Sequence, residues 1–329
     1  MSAQSDSVVL KTFSWRFIQA YLITMRPYLM FVSGVTGLVG MAFSSRLSAA
    51  EFVLRFAASF LSYGFGQALT DCFQIDTDTL SSPYRPLTQG IISKLQAFVV
   101  SAAGLAFCIS IFASGNLSNL LLGAAAGSGL ATYTFFKRRW WGGPFYNAWI
   151  VAVLCSMAFL SGAESFQQLL SIPMLWVLLC VLFGYANFVL SGYFKDIEAD
   201  RATCYNTLPV IFGRRVAAWT SDALAGSSIA FAAVVLLSTG RGSQPELANA
   251  PCWAFFMAAV AVSIIAQVRL HKVSTDNEAH RAIAPVVHSY IVLLSAVACT
   301  QRPAWAGLFI LFYAAFIGVL KIRPAKNQI

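Results

Sequence analysis

A chain of 329 residues that is 58% hydrophobic and 11% charged, with a mean hydropathy of +0.70, holds far less charge than soluble domains, which average roughly 25%. This excludes a water-soluble domain and predicts an all-α, polytopic membrane bundle. The net charge of +9 fits basic loops at one membrane face and does not call for nucleic acid. Seven scattered cysteines without a C-x-x-C pair give no disulfide framework or zinc site, and read as small buried hydrophobes.

Residues 1–25 are expected to form a cytoplasmic tail and a short interfacial helix. The opening MSAQSDSVVLKTF has no apolar core of a cleaved signal. Arg26-Pro27 then opens the first span, because Pro is tolerated in a first helical turn. A single domain over 26–329 carries ten apolar segments, each near the ~20 residues that cross a bilayer. They are 27–45, 51–73, 92–114, 117–136, 144–163, 172–194, 215–238, 251–269, 283–300 and 304–321. Only Thr300 to Pro303 separate the last two, so nine to ten transmembrane helices are expected around a central cavity. Gly123-x-x-x-Gly127 predicts close packing against a neighbouring helix.

Of the 22 Lys and Arg, 18 fall on one side of this topology; only Arg46, Arg55, Arg241 and Arg302 fall on the other. The positive-inside rule therefore places the N-terminus in the cytoplasm. Two acidic stretches share that side, and they hold six of the 13 acids: Asp71, Asp76 and Asp78 in the first, Asp196, Glu198 and Asp200 in the second. Acids at a membrane edge are expensive to keep, so a cation or a partner is expected beside them. On one continuous helix Gln67, Asp71, Gln74 and Asp78 share a face, and so do Asp196 and Asp200. Facing carboxylates repel unless a cation bridges them. Oxygen ligands without Cys or His point to Mg2+, which leaves coordination positions for substrate phosphates. The alternative for either stretch alone is a solvated helix end.

The first stretch, Asp78 followed by Pro83-Tyr84-Arg85-Pro86 and Gly90, resembles the Asp-rich motif of the UbiA superfamily of intramembrane prenyltransferases. The second, Asp196-Ile-Glu-Ala-Asp200-Arg201 with Thr207-Leu208-Pro209, is similar to that family's second motif. Tyr133 to Arg138 and Asn147 match its pattern between the fourth and fifth helices. The resemblance spans roughly residues 22–300. It departs where the family's Asn and middle Asp fall on Thr70 and Gln74, and at a tenth span.

The resemblance implies that Asp71, Gln74, Asp78, Asp196 and Asp200 hold Mg2+ and, through it, an isoprenyl diphosphate, with the four Asp as the catalytic carboxylates. Gln67, Arg85, Tyr133, Lys137, Arg138, Asn147 and Lys195 are the expected substrate-binding residues. Each basic residue among them is alternatively a topological anchor, and Asn147, like Asn187, is alternatively an interhelical hydrogen bond. Asp76 is expected in solvent or behind the ligands, Asp222 beside Arg214 or Arg215, and His288 as a helix residue or a base. The implied activity is transfer of an isoprenyl group to a lipophilic, foremost aromatic, acceptor in the bilayer, without nucleic acid. A terpene cyclase on the same fold is the alternative. A transporter fits less well, because no chain of ionisable residues crosses the midplane.

Overall fold

A computed structural model of the chain describes residues 9–45, 47–239 and 250–323. The tail over 1–8, Arg46, Arg241 and Lys326 of the charge reading lie outside them. Among the described residues every regular element is helical. The first helix, α1 (Trp15–Met25), begins where the Ser14 side chain accepts a hydrogen bond from the Phe17 N–H. It meets α2 (Pro27–Phe43) at a 60° bend. The bend is written in the Arg26-Pro27 pair: Pro27 is preset for a first turn and disfavours helical backbone before it. Arg26 takes the left-handed conformation, φ 53°.

Capping boxes, Ser48 with Glu51 and Ser93 with Gln96, start α3 (Ala49–Asp71) and α5 (Lys94–Ala113). Between them lies the short α4 (Ile75–Ser81). There follow α6 (Ser118–Arg139), α7 (Gly143–Leu160), α8 (Ile172–Gly192) and the short α9 (Ile197–Ala202). The last elements are α10 (Leu208–Thr239), broken at Gly213 with φ 80°, then α11 (Ala250–Leu270), α12 (His280–Cys299) and α13 (Ala306–Lys321). The last two expected segments are thus two helices, joined through a tight turn at Pro303–Trp305.

The expected nine to ten spans resolve differently. Seven of the described helices are long and apolar enough to cross a membrane alone, and the bent pair α1–α2 makes eight. At 23 and 22 residues, α3 and α6 have the length but not the apolarity. The physical reason is their job: α3 carries Gln67, Thr70 and Asp71, and α6 carries Lys137, all of them facing an internal cavity. α12 lies at the centre, with 83% of its most apolar stretch buried against 22% for α5 and α13. Phe107, Leu121, Met257, Ile264 and Leu311 stand exposed around the outside, as lipid-facing side chains do.

Gly123 behaves as the small-residue motif predicts, since a Cβ there would come within 2.7 Å of Ile109 on α5. Gly127 does not, because a Cβ there meets nothing within 4 Å and the residue lines a cavity. The closest backbone approach joins α2 to α7, where a Cβ on Gly40 would lie 2.4 Å from the Cys155 carbonyl. Gly40→Leu is expected to lower stability by about 1–3 kcal/mol through overpacking. The thermal unfolding midpoint in detergent measures this, with Gly226→Ala, which meets nothing within 4 Å, as the neutral control.

Candidate active site

Both acidic stretches sit at helix breaks, and the breaks are what aim their side chains. α3 ends at Asp71 and the backbone turns through residues 72–74 before α4 begins, with Gln74 as the residue ahead of its first turn. In the same way Asp196 precedes the first turn of α9. Neither Gln74 nor Asp196 caps its helix with its side chain, so both side chains are left for the cavity. The continuous-helix expectation is therefore corrected. Only Gln67 and Asp71 share a helical face, and Gln67 Nε2 donates to Asp71 Oδ1 at 2.6 Å. Asp78 reaches the same space from a separate helix.

Asp71 is 2% exposed and accepts three hydrogen bonds from two residues. Besides Gln67, Arg26 Nη2 donates to both carboxylate oxygens at 3.0 and 2.9 Å. Arg85 Nη1 lies 3.9 Å from Asp71 and 2.5 Å from Asp78, bridging the two acids. In the second stretch the buried Lys137 ammonium donates to Asp200 Oδ1 at 3.3 Å and to Gln74 Oε1 at 3.1 Å, tying α6 to both motifs. The other Asp200 oxygen, Oδ2, is buried without a hydrogen-bond partner. α4 and α9 touch through the hydroxyls of Thr77 and Thr203. The two motifs therefore form one constellation.

Burial works against the charged form of these acids. Burial pushes the Asp78 carboxyl above the ordinary carboxylate range against the pull of Arg85, and Asp71 and Asp196 add to the rise. Burial likewise raises Asp200 to about 6, although Lys137 opposes it. Burial alone would lower the Arg85 guanidinium, but Asp78, Asp71 and Asp196 outweigh it and hold the residue above its usual value. Such a site favours one more cation.

A polar cavity of about 780 Å³ lies among these groups, lined by Asp71, Gln74, Asp78, Arg85, Lys137 and Asp196, with Arg26, Tyr133 and Lys195. Lys195 and Asp196 line it without a side-chain hydrogen bond or ion pair among the described residues. Tyr133 and Tyr193 share a hydroxyl hydrogen bond at 2.7 Å, and Lys137 sits 5.0 Å from the Tyr193 ring centroid. A second cavity of about 790 Å³, lined by Leu105, Ile109, Phe112, Gly127, Leu154 and Met157, is apolar. Tyr63, Gln67, Thr70, Asn147 and Tyr185 border both, so the two spaces adjoin. Asn147 stands at that junction, whereas Asn187 lies between helices and accepts from the Ser221 hydroxyl at 2.5 Å.

Other expected residues fall elsewhere. Arg138 is turned outward, ion-paired with Asp76 at 2.6 Å and hydrogen-bonded to Tyr205, so it lines neither cavity. Asp200 sits behind Lys137 and is not on the cavity wall. Asp222 pairs with His271 at 2.7 Å, while Arg214 pairs with Asp276. His288 shares a hydrogen bond with the Tyr313 hydroxyl. Sequence reasoning gave Arg26 only a topological part; its position beside Pro27 was the signal that it ends one helix and stands inside the bundle. Tyr63 and Tyr185 carried no signal distinguishing them from other aromatic residues of apolar spans.

Residues 31–291 match the sequence model of the UbiA prenyltransferase family. The chloroplast chlorophyll synthase of Avena sativa is 28% identical over 192 residues, 54% of this chain and 49% of that protein. Digeranylgeranylglyceryl phosphate synthase of Thermococcus kodakarensis is 26% identical over 210 residues, 61% of this chain and 72% of that one. The match spans about half the length of the chlorophyll synthases. Among solved structures, a UbiA homolog from Aeropyrum pernix K1 aligns with a TM-score of 0.66 at 22% identity, over 87% of this chain and 98% of that one. A UbiA homolog from Archaeoglobus fulgidus bound to GPP and Mg2+ aligns with a TM-score of 0.60 at 18% identity, over 84% and 99%. At these identities the likeness is one of fold.

Removing Arg26 leaves a buried carboxylate short of its main partner, and Arg26→Ala is expected to destabilise the protein by about 3–5 kcal/mol. The double variant Arg26→Ala/Asp71→Ala should recover part of that loss. A double-mutant cycle on thermal unfolding in detergent measures the difference, and additive losses would mean the pair is not coupled.

Proposed function

The chain belongs to the UbiA prenyltransferase family, and on that premise we propose that it transfers an isoprenyl group from a polyprenyl diphosphate to a lipophilic acceptor at the cytoplasmic side of the membrane. The observation that carries this reading is the adjoining pair of cavities. One is polar, with carboxylates and cations together; the other is apolar. A diphosphate joined to an isoprenyl tail has the same two-part character.

Among the described residues no group of three or more His, Cys, Asp or Glu side chains is close enough to enclose a metal ion on its own. The donor set nevertheless fits Mg2+, which takes one or two carboxylates and completes its shell with water and substrate phosphates. Asp78 and Asp196 line the cavity, Asp71 and Gln74 flank them, and Asp200 has a buried oxygen without a partner. The first four would hold the ion, while Asp200, expected among them, stands behind Lys137. Bound Mg2+ would neutralise the charge that develops on the diphosphate as its bond to carbon breaks.

The chain's own residues would do the rest. Arg85, Lys137 and Lys195 donate hydrogen bonds to diphosphate oxygens, the first with a fork that matches two oxygens at once. The C–O bond at the first prenyl carbon breaks and its electron pair leaves with the diphosphate. The allylic cation lies near Tyr63, Tyr133, Tyr185 and Tyr193, whose ring faces favour positive charge. A nucleophilic atom of the acceptor then bonds to that carbon and sheds its proton. The apolar cavity holds the tail and keeps water from capturing the cation.

Purified protein with geranylgeranyl diphosphate, Mg2+ and a panel of phenolic and glyceryl phosphate acceptors tests the reading. Asp78→Asn and Asp196→Asn are each expected to reduce turnover at least about a hundredfold, whereas Arg138→Ala stays within a few fold of the parent. Cyclic hydrocarbons formed without acceptor would replace the transferase reading with a cyclase. Turnover unaffected by either Asp variant would remove the site itself. A second test concerns the tail. Gly127 lines the apolar cavity and a Cβ there meets nothing within 4 Å, so Gly127→Leu should disfavour geranylgeranyl diphosphate more than geranyl diphosphate. An unchanged chain-length preference would take that cavity out of donor binding.

A further inference from the structure

A second charged concavity lies where the C-terminal ends of α11 and α13 meet the N-terminal end of α12. It is an open groove of about 1240 Å³, solvent included, lined by Arg269, Lys272, Arg281 and Arg323, with His280 and His288. This is the same end of the bundle as α9, since the Glu198 N–H donates to Asp276 in the turn before α12. α13 closes one wall through the His288–Tyr313 hydrogen bond, and it lies beyond the residues that match the family model.

Two features of α12 leave positive charge without compensation. Ala279 precedes its first turn, so no side chain caps the helix, and no acid stands in that turn. His280 and Arg281 occupy it instead, although a helix N-terminus favours anions and disfavours cations. One turn later Pro285 has no N–H, which leaves the Arg281 carbonyl without its intrahelical donor. Arg269 Nη1 donates to that carbonyl at 3.3 Å, fixing a second guanidinium over the same turn. The acid lining the groove, Glu278, is engaged by the Ser274 hydroxyl at 2.8 Å and its N–H at 3.4 Å. Lys272 and Arg281 are exposed, and their side chains make no hydrogen bond or ion pair among the described residues.

We propose that this groove binds the phosphate of an anionic phospholipid of the surrounding bilayer. The phosphate would lie over the uncapped first turn of α12 between Lys272, Arg281 and Arg269. Ala284 and Pro285 continue the groove as an apolar strip, and Ile265 stands exposed on α11 one turn before Arg269. An acyl chain has somewhere to lie, which a free phosphate would not use. Basic pockets at helix ends recognise anionic headgroups by this combination of charge and adjoining apolar surface. The inference does not depend on the transferase reading.

Native mass spectrometry of the full chain, titrated with phosphatidylglycerol or phosphatidylcholine in detergent, tests it. One phosphatidylglycerol should bind more tightly than phosphatidylcholine. Lys272→Ala/Arg281→Ala should weaken it roughly 30-fold, at about fivefold per removed charge. The charge-preserving pair Lys272→Arg/Arg281→Lys should retain it, as should Arg16→Ala/Arg215→Ala, which removes two exposed charges elsewhere. Equal loss in that last pair would mean that overall charge, not the groove, holds the lipid. Retention in the groove pair would overturn the site, and displacement of the lipid by inorganic phosphate would overturn the lipid assignment.

Discussion

The arrangement of this protein depends on the cost of keeping carboxylates inside an apolar bundle. An ionised acid taken from water loses several kcal/mol of hydration unless positive charge and hydrogen bonds replace it. Each part of the site meets that demand from a different element. The bend between α1 and α2 brings Arg26 to Asp71, the loop after α4 brings Arg85 to Asp71 and Asp78, and the end of α6 brings Lys137 to Asp200. Arg26, Arg85, Lys137 and Lys195 match Asp71, Asp78, Asp196 and Asp200 in number, yet burial still keeps the Asp78 and Asp200 carboxyls above the ordinary range.

The same demand explains what was legible in the sequence. The two acidic stretches, their Pro-Arg-Pro loop and the basic end of α6 were readable, because each combines charge with an apolar surround and has few ways to be satisfied. Where the chain breaks was not readable. The pattern Gln67, Asp71, Gln74, Asp78 fits a single helix, and the turn at 72–74 is imposed by tertiary packing that periodicity does not contain. Arg138 illustrates a second gap. It neighbours Lys137 in sequence, but one residue along a helix is a rotation of about 100°, which takes it from the buried side to the pair with Asp76. The number of spans is not confirmed by apolarity alone, because α3 and α6 carry polar residues, some of which, such as Asp71 and Lys137, face an internal cavity.

The two adjoining cavities divide the recognition problem. The polar end is lined by charged side chains, while the apolar end is shaped by side-chain volume at positions such as Gly127 and Phe112. Asn147 and the tyrosines between them belong to both. Head and tail of a ligand would thus be read by different side chains of shared helices, since α3, α6 and α7 line both spaces while Arg85 and Asp196 face only the polar one.

Arg26 carries one more consequence. The residue that turns the chain by 60° from α1 into α2 is also the one whose guanidinium holds Asp71. A joint and a counter-ion are therefore a single side chain, kept in a backbone conformation that costs a non-glycine residue energy. α1 packs on the bundle through Phe17, Tyr21 and Met25, so any change in that bend would also shift the guanidinium that holds Asp71.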